Sequence, residues 1–363
     1  MKRETKLTGK AKGRLRVIAG TLVSLAFLWL AFRGVNWRDT WGTVTHVNAW
    51  LLLAALGSVV LTTAIRAERW RFMFFPDHRH LRRAKFLSIF LIGQVMNAAV
   101  PARIGEVARA YLIGEIEQVS KAHALWTTVV EKVLDALTLL LFMAGISLSV
   151  ALPDWLREAG WTLSLAFVAV LLGLALVTVL QGKVARWIER LNERRAWVSR
   201  LRLGRFLAVV VDSLRLMRQP RLFVGLLAWS SVAFLTGAVT NWITALAFRL
   251  YLPFTAWLLL LAVLQISAVV PLPTSPGRVG VFHFLCVKSL EIFGVPSDVA
   301  LSYSLVLHVL TYLPMIVGGP LCLWLENYDW GGLTRLLRDD AAPIGAEGLA
   351  AGKAPSPRKG DSS

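Results

Sequence analysis

The sequence contains only two cysteines, Cys286 and Cys322, and both lie in apolar surroundings without the spacing of a metal or redox site. It therefore gives no indication of a disulfide framework, and we expect both thiols to be small core residues. Charged residues are also few, at 17% of the chain, and no segment of soluble character is long enough to form its own core. The chain is therefore not expected to fold as soluble domains.

What the sequence has instead is apolar residues, which make up 56% of the chain, and fifteen tryptophans. The mean hydropathy of +0.59 is typical of a polytopic membrane protein. The first apolar segment follows a basic stretch but lacks a small-x-small cleavage site, so we expect it to be retained as a span. Full spans are predicted at 17–32, 50–65, 122–151, 161–180, 222–248 and 299–325.

Positive charge is concentrated in segments next to these spans. Thirty Lys and Arg residues fall in 1–16, 66–85, 183–221 and the stretch after 325, whereas the presumed outer loops carry four. By the positive-inside rule, this distribution predicts a multi-pass protein of the bacterial cytoplasmic (inner) membrane, with both termini in the cytoplasm. Nucleic-acid binding would also need basic charge, but charge spread over four membrane-flanking segments does not favour it.

Two further apolar segments, 86–100 and 255–270, are too short to cross the membrane and end at prolines. Fifteen and sixteen helical residues span only about 22 and 24 Å, against a hydrocarbon core of about 30 Å. We therefore predict re-entrant helical hairpins at 86–112 and 255–290. The alternative topology has eight full spans, with these segments crossing the membrane.

The predicted fold is an all-α polytopic membrane protein with about six full transmembrane helices and two re-entrant hairpins, or eight helical segments. It forms an inverted-topology repeat of the kind found in secondary transporters, with a polar site between its halves. The expected organisation is a basic cytoplasmic N-terminus (1–16), the first repeat (17–151), the second repeat (161–325) and a disordered cytoplasmic tail (341–363). Within the second repeat, 181–221 is predicted to be a basic amphipathic loop at the membrane surface.

The first hairpin carries the best candidate site. Pro101 and Gly105 break the helix on either side of Arg103. The planar guanidinium group of an arginine suits a phosphate or carboxylate because it can bond two oxygens at once. The alternative is an Arg103–Glu106 pair that only satisfies the hairpin. The residues of this motif are Asn97, Pro101, Arg103, Gly105, Glu106 and Arg109.

A second polar group follows in the next apolar helix, whose expected N-cap is Ser120. Glu131 and Asp135 share one face of that helix, with Lys132 beside them. The two carboxylates are expected to bind a cation, hold a proton or pair with the arginines of the first hairpin. The alternative is that they are solvated near the cytoplasmic end of the helix.

The second hairpin carries a similar break. Its glycines and prolines forbid a continuous helix, and Ser275, Arg278 and His283 are expected to complete the site from the outer side. His308 is a lone ionisable group in the middle of the last span. We find no catalytic constellation, metal-ligand spacing or cofactor motif, so no catalytic residue, metal or cofactor is predicted. The residues expected to break this helix are Pro276, Gly277 and Gly280.

Together, these motifs resemble the lysylphosphatidylglycerol synthase transmembrane family, also called flippase-like. Its pattern runs roughly N-x-x-x-P-x-R-x-G-E-x-x-R, then E-K-x-x-D, then S-P-G-G-x-G-x-x-E. The resemblance covers about residues 15–328. This chain departs from the pattern at Arg278, where the family usually has glycine, at His283, where it has glutamate, and at His308, where arginine is expected. The matching positions are Asn97, Pro101, Arg103, Gly105, Glu106, Arg109, Glu131, Lys132, Asp135, Ser275, Pro276, Gly277 and Gly280.

The resemblance implies translocation of a lipid with an anionic or aminoacylated head group, of phospholipid or polyprenyl-phosphate type. About 38 residues follow the last predicted span, so we expect no aminoacyl transferase domain here. Asn97, Arg103, Arg109, Ser275 and Arg278 would hold the head group. The charge-compensating or proton-carrying residues would be Glu106, Glu131, Lys132, Asp135, His283 and His308.

Two alternatives stay open. One is a non-catalytic membrane partner of a separate lipid or envelope-polymer synthase, docking through 181–221. The other is an integral-membrane enzyme that modifies a lipid head group, with Glu131, Asp135 or His283 as acid or base.

Overall fold

A computed structural model describes residues 47–75, 77–99, 104–147, 220–269 and 276–328, with isolated residues between 25 and 45 and between 154 and 172. These residues form helices and turns, and no strand occurs among them. The predictions for 1–16, 17–32, 341–363 and nearly all of 181–221 lie outside this part of the chain. The α-helices described here are α1 (Ala49–Phe72), α2 (Arg83–Ala99), α3 (Gly105–Ile116), α4 (Lys121–Ser147), α5 (Pro220–Ala247), α6 (Phe254–Val269), α7 (Val279–Glu291) and α8 (Ser297–Leu325).

Three of these helices, α1, α5 and α8, are long and apolar enough to cross a bilayer. They contain 24, 28 and 29 residues. Large apolar side chains such as Leu61 on α1 and Val309 on α8 are exposed on their outer surfaces. An exposed apolar surface on a long helix is stable in lipid, so the chain is a membrane protein with helical spans.

Two of the helices begin at side-chain caps. The Asn48 side chain accepts hydrogen bonds from the backbone N–H groups of Trp50 and Leu51, at 3.0 and 3.4 Å. At the start of α4, Ser120 Oγ accepts from the N–H of His123 at 3.3 Å, so the predicted cap is confirmed. Each cap satisfies a backbone donor that the first helical turn leaves free.

The two predicted hairpins are pairs of short helices that pack against each other, α2 with α3 and α6 with α7. The helices α2 and α6 contain 17 and 16 residues. At 1.5 Å per residue they are about 26 and 24 Å long, which is less than the hydrocarbon thickness of about 30 Å. These helices begin and end within a few residues of the predicted segments 86–112 and 255–290, whose connecting residues 100–103 and 270–275 lie outside the described part of the chain.

The first basic segment differs from the prediction. We expected a span at 50–65 and then a cytoplasmic loop from 66, but α1 continues without a break to Phe72. Arg69 and Arg71 therefore lie on a helix, and they are buried, at 1% and 4% exposure. Their burial is tolerated because both form ion pairs, Arg69 with α4 and Arg71 with Glu68.

Helices of the N-terminal half also pack against helices of the C-terminal half. The helix α1 lies along α5, α2 lies along α8, and α4 contacts α6. One apolar cluster is centred on Trp70 and Phe86, and another on Trp257 and Tyr303. The halves thus share their cores.

Candidate functional site

Four charged side chains from α1, α3 and α4 meet inside the N-terminal half, and we call them the buried charge cluster (Arg69, Arg109, Glu131 and Asp135). Arg109 Nη2 donates to Glu131 Oε2 at 2.9 Å. Arg69 pairs with the other Glu131 oxygen at 3.3 Å and with Asp135 at 2.5 Å. Both acids face the arginines because positions i and i+4 share a helix face.

Three members of this cluster are almost completely removed from solvent. Arg69, Arg109 and Glu131 are 1%, 4% and 4% exposed, whereas the Asp135 side chain is 18% exposed. Each guanidinium group is paired with a carboxylate, which is the condition under which buried ions are tolerated. The solvated alternative for Glu131 is therefore wrong, and the alternative in which it pairs with an arginine of the first hairpin is correct.

Aromatic rings hold Arg109 in place. Its guanidinium lies over the Trp70 ring at 4.2 Å and over the Phe90 ring at 4.5 Å. The Trp70 indole N–H donates to Thr127 Oγ1 at 2.9 Å. Because cation–π contacts add to the ion pair, the Arg109 side chain is fixed from both faces and from its tip.

The cluster also reaches the C-terminal half. Arg69 Nη1 donates to Ser230 Oγ on α5 at 2.7 Å. Arg69 therefore joins α1, α4 and α5 with one guanidinium group. No sequence motif singled out Arg69 or Ser230, but two acids on an apolar helix require buried counter-charges, and that requirement is the signal that could have identified Arg69.

Glu106 and Lys132, also predicted as site residues, form a separate ion pair at 3.2 Å. Their side chains are 29% and 49% exposed, so this pair lies at the edge of the helices α3 and α4. Arg103 lies outside the described residues, as do Pro101 and Ser275. In this structure the Glu106 carboxylate is bound by Lys132.

The first hairpin closes through a close approach of two glycines. The Asn97 side chain accepts a hydrogen bond from the Gly105 N–H at 2.8 Å. A Cβ atom on Gly105 would overlap the Gly93 carbonyl oxygen, and a Cβ on Gly93 would overlap the Arg109 side chain. Gly93 and Gly105 are therefore needed to let α2 and α3 approach and to admit Arg109 between them.

The second hairpin contains a tight turn, Pro276–Arg278, which we call the second-hairpin turn. Gly277 and Arg278 both adopt left-handed backbone conformations, with φ of 70° and 51°. The Tyr312 hydroxyl on α8 donates to the Gly277 carbonyl at 2.7 Å. This hydrogen bond attaches the turn to the last span. Tyr312 was not among the predicted site residues.

Two predicted histidines lie together next to this turn. His283 on α7 shares a hydrogen bond with Ser304 Oγ at 2.9 Å and stacks on His308, with ring centroids 5.0 Å apart. His308 in turn stacks on Tyr312 at 4.3 Å. His308 is therefore not a lone group, as the sequence suggested. Arg278, His283 and His308, the three positions that depart from the family pattern, belong to one group of residues.

Buried polar atoms around the second-hairpin turn lack partners. Among the residues that the structure describes, Arg278 Nη1 and His308 Nδ1 are buried and form no hydrogen bond. The Nε atoms of Arg69 and Arg109 are also unbonded, but the Nη atoms of those arginines are ion-paired. No ion pair of Arg278 occurs in the same part of the chain.

The second-hairpin turn lies against the other hairpin. It contacts α2, the first helix of that hairpin, as well as α7. Along α8, Gly318 and Gly319 lie against Leu91 and Val95 of α2. Within 47–147 and 220–328, leaving aside the gaps between them, no group of three His, Cys, Asp or Glu side chains is placed to hold a metal ion.

Comparison with known proteins gives two matches. A family profile described as the lysylphosphatidylglycerol synthase TM region matches residues 17–319, which include both hairpins and the buried charge cluster. A UPF0104 membrane protein of Methanocaldococcus jannaschii is 24% identical over 317 residues, covering 82% of this chain and 91% of that protein. No solved structure matches the chain significantly.

Proposed function

This chain belongs to the lysylphosphatidylglycerol synthase TM region family, and we propose that it is a lipid flippase or transporter. Membership indicates a membrane role in lipid handling. The proposed cargo is an anionic or aminoacylated lipid, of phospholipid or polyprenyl-phosphate type, moved across the bacterial cytoplasmic membrane. A separate enzyme would supply this lipid, and both termini of the chain would be cytoplasmic.

The observation that carries this proposal is the meeting of two broken helix pairs. The turn of the second hairpin lies beside α2 of the first, with charged side chains close to both. Interrupted helices at membrane depth are stable only when protein or a water-filled cavity surrounds them. Transporters place substrate sites at such breaks because helix ends and arginines there offer donors to anionic groups.

The packing pattern supports an inverted repeat with re-entrant hairpins. The first hairpin packs on α8, and the second contacts α4, while α1 and α5 pack on each other. An approximate two-fold axis relating the halves would convert the contact of the first hairpin with α8 into the contact of the second hairpin with α4. It would leave the pair α1 and α5 in contact. Since α2 and α6 are both shorter than the hydrocarbon core, each hairpin would enter and leave on one side.

In this proposal the head group contacts Asn97 and Arg103 from the first hairpin and Ser275 and Arg278 from the second. Arg109 shares Glu131 with Arg69. A phosphate that replaced Glu131 on Arg109 would leave Glu131 paired with Arg69. The buried charge cluster thus offers a way for the halves to rock without leaving an ion unpaired.

The test is translocation of fluorescent phosphatidylglycerol in vesicles that contain the purified protein, measured by access of a membrane-impermeant quencher. Wild type should exchange the lipid between leaflets, and Arg103→Gln should lose that activity. Arg83→Gln is the control, because the Arg83 side chain is 78% exposed at the other end of the hairpin. An unchanged rate in Arg103→Gln would refute the assignment, and a covalently altered lipid in mass spectra would indicate an enzyme instead.

A further inference from the structure

At the second-hairpin turn, buried polar atoms lack hydrogen-bond partners among the described residues. We propose that this turn, with His308 and Tyr312 of α8, forms a binding subsite for the phosphate group of the ligand. The inference rests on the proposed function, because it assigns one part of the head-group site. It assigns the phosphate group to the C-terminal half when the buried charge cluster is fully ion-paired, as it is in this structure.

The first argument is that two polar nitrogens at the turn have no hydrogen-bond partner. Arg278 Nη1 and His308 Nδ1 are both buried and unbonded among the described residues. An unbonded buried guanidinium N–H costs free energy that an incoming anion would recover. Among the described residues, the buried arginines Arg69, Arg71 and Arg109 are all ion-paired with carboxylates.

The second argument is that the donors are held in position. His308 lies between the His283 and Tyr312 rings, at centroid distances of 5.0 and 4.3 Å, so its ring plane is fixed. The Tyr312 hydroxyl is used on the Gly277 carbonyl, at 2.7 Å. A Cβ on Gly277 would lie 3.9 Å from His308 Nε2, which places the histidine ring directly beside the turn. Preorganised donors bind an anion without further ordering cost.

The third argument is the backbone. Arg278 immediately precedes α7 and has a φ of 51°, a left-handed conformation that is unfavourable for a residue with a side chain. No side chain caps the first turn of this 13-residue helix. The positive end of the helix dipole therefore adds to the arginine.

These features favour phosphate over a carboxylate. An arginine fork binds two oxygens, and the histidine and the start of α7 lie beside it. The oxygens of a phosphate are arranged tetrahedrally, so even the two non-bridging oxygens of a phosphodiester can meet donors from different directions, whereas the two oxygens of a carboxylate lie in one plane with its carbon. Since no acid pairs with Arg278 among the described residues, the subsite keeps a net positive charge until the anion enters.

The experiment measures binding of fluorescent phosphatidylglycerol to the full-length protein in neutral detergent. Fluorescent diacylglycerol with the same acyl chains lacks the phosphate and serves as the comparison ligand, and inorganic phosphate serves as competitor. The variants are Arg278→Gln and Arg278→Gly, the second chosen because glycine suits a φ of 51° and should not impair folding. Arg249→Gln is the matched control, an exposed arginine with a φ of 57°.

We expect both Arg278 variants to weaken phosphatidylglycerol binding at least about fivefold, since a charge-assisted hydrogen bond is lost, and Arg249→Gln to bind as wild type. Competition by inorganic phosphate would show that the free anion suffices, and its failure to compete would show that the lipid is required. Wild-type affinity in either folded Arg278 variant, or equal binding of diacylglycerol, would overturn the subsite. A wild-type protein that binds with this dependence but moves no lipid would refute the transport proposal alone.

Discussion

The buried charge cluster and the second-hairpin turn both place arginine donors inside the protein, yet their environments differ. In the cluster, Arg69 and Arg109 meet two carboxylates. At the turn, Arg278 has a buried donor without a partner among the described residues. A buried arginine therefore does not by itself identify a ligand site; the neighbouring helix decides.

The neighbouring helices differ in acidic residues. The helix α4 presents Glu131 to Arg109 of the first hairpin and Asp135 to Arg69 of α1, whereas α8 presents Ser304, His308 and Tyr312 to the second hairpin. The one acid of α8 is Asp298, in its first turn. In the buried charge cluster, the carboxylates neutralise the arginines and stabilise the packing of the helices. No carboxylate lies in the middle of α8, so the second-hairpin turn can accept an anion.

The largest effect on stability should come from removing an arginine of the buried charge cluster. Replacing Arg69 with methionine removes the ion pair of Asp135, one ion pair of Glu131 and the bond to Ser230, so we expect a loss of about 3–5 kcal/mol in stability. Thermal unfolding in detergent would measure this as a large drop in Tm. In Arg83→Met, which removes an exposed arginine, the Tm should be nearly unchanged.

The next effect concerns the close approach of α2 and α3. In Gly105→Ala the new methyl group meets the Gly93 backbone, so the helices must separate at a cost of about 1–3 kcal/mol. Gly145→Ala is the matched change, because Gly145 lies within α4 with nothing near its Cβ position, and it should stabilise the helix by about 0.5–1 kcal/mol. Equal Tm values for the two variants would contradict the observed hairpin geometry.

A smaller effect is expected at the attachment of the second-hairpin turn. Tyr312→Phe removes the hydrogen bond to the Gly277 carbonyl, at a cost of about 1 kcal/mol. The same substitution at Tyr251, which is 79% exposed, should have no measurable effect on Tm. Because Tyr312 also fixes the turn, phosphatidylglycerol binding should weaken in Tyr312→Phe, and unchanged binding would show that the turn does not depend on this contact.

The smallest effect on the free energy of unfolding is expected at Arg278. Its sign is opposite to that of the effect at Arg69. Since glycine relieves the left-handed backbone and no ion pair is lost in the described region, Arg278→Gly should leave stability unchanged or raise it by up to about 1 kcal/mol. Thermal unfolding compared directly with Arg69→Met would show two arginine deletions with different consequences. A Tm loss as large as that of Arg69→Met would mean that Arg278 also serves the fold.

Much of the fold could be predicted because helix breakers and apolar length are local properties. The hairpins at 86–112 and 255–290 appear as two helix pairs, and the Ser120 cap was identified from the sequence. The end of α1 was not predicted, since a run of arginines usually indicates a solvated segment. Only the tertiary position of the α4 acids makes Arg69 a buried residue.

The contacts among the candidate residues were predicted only in part. The sequence named Arg109, Glu131 and Asp135, which the structure brings together, but it did not name Arg69. Which arginine meets which acid depends on how far apart the helices lie, and this distance is set by uncharged residues such as Gly93 and Trp70. For the same reason, Tyr312 and Ser230 were not recognised.

The central claim is that the hairpin of one half packs against the last span of the other half, so that the two breaks share one region. The most direct measurement is oxidative crosslinking of Leu91→Cys with Gly318→Cys in membranes, in a background with Cys286→Ala and Cys322→Ala. The ideal Cβ of Gly318 lies 3.2 to 3.9 Å from the Leu91 side chain.

A second pair, Ser58→Cys with Thr240→Cys, is the positive control, because these hydroxyls lie 2.8 Å apart between α1 and α5. We predict rapid intramolecular crosslinking of both pairs. Efficient crosslinking of the control pair without any between positions 91 and 318 would show that the two halves do not meet there, and would contradict the proposed shared site.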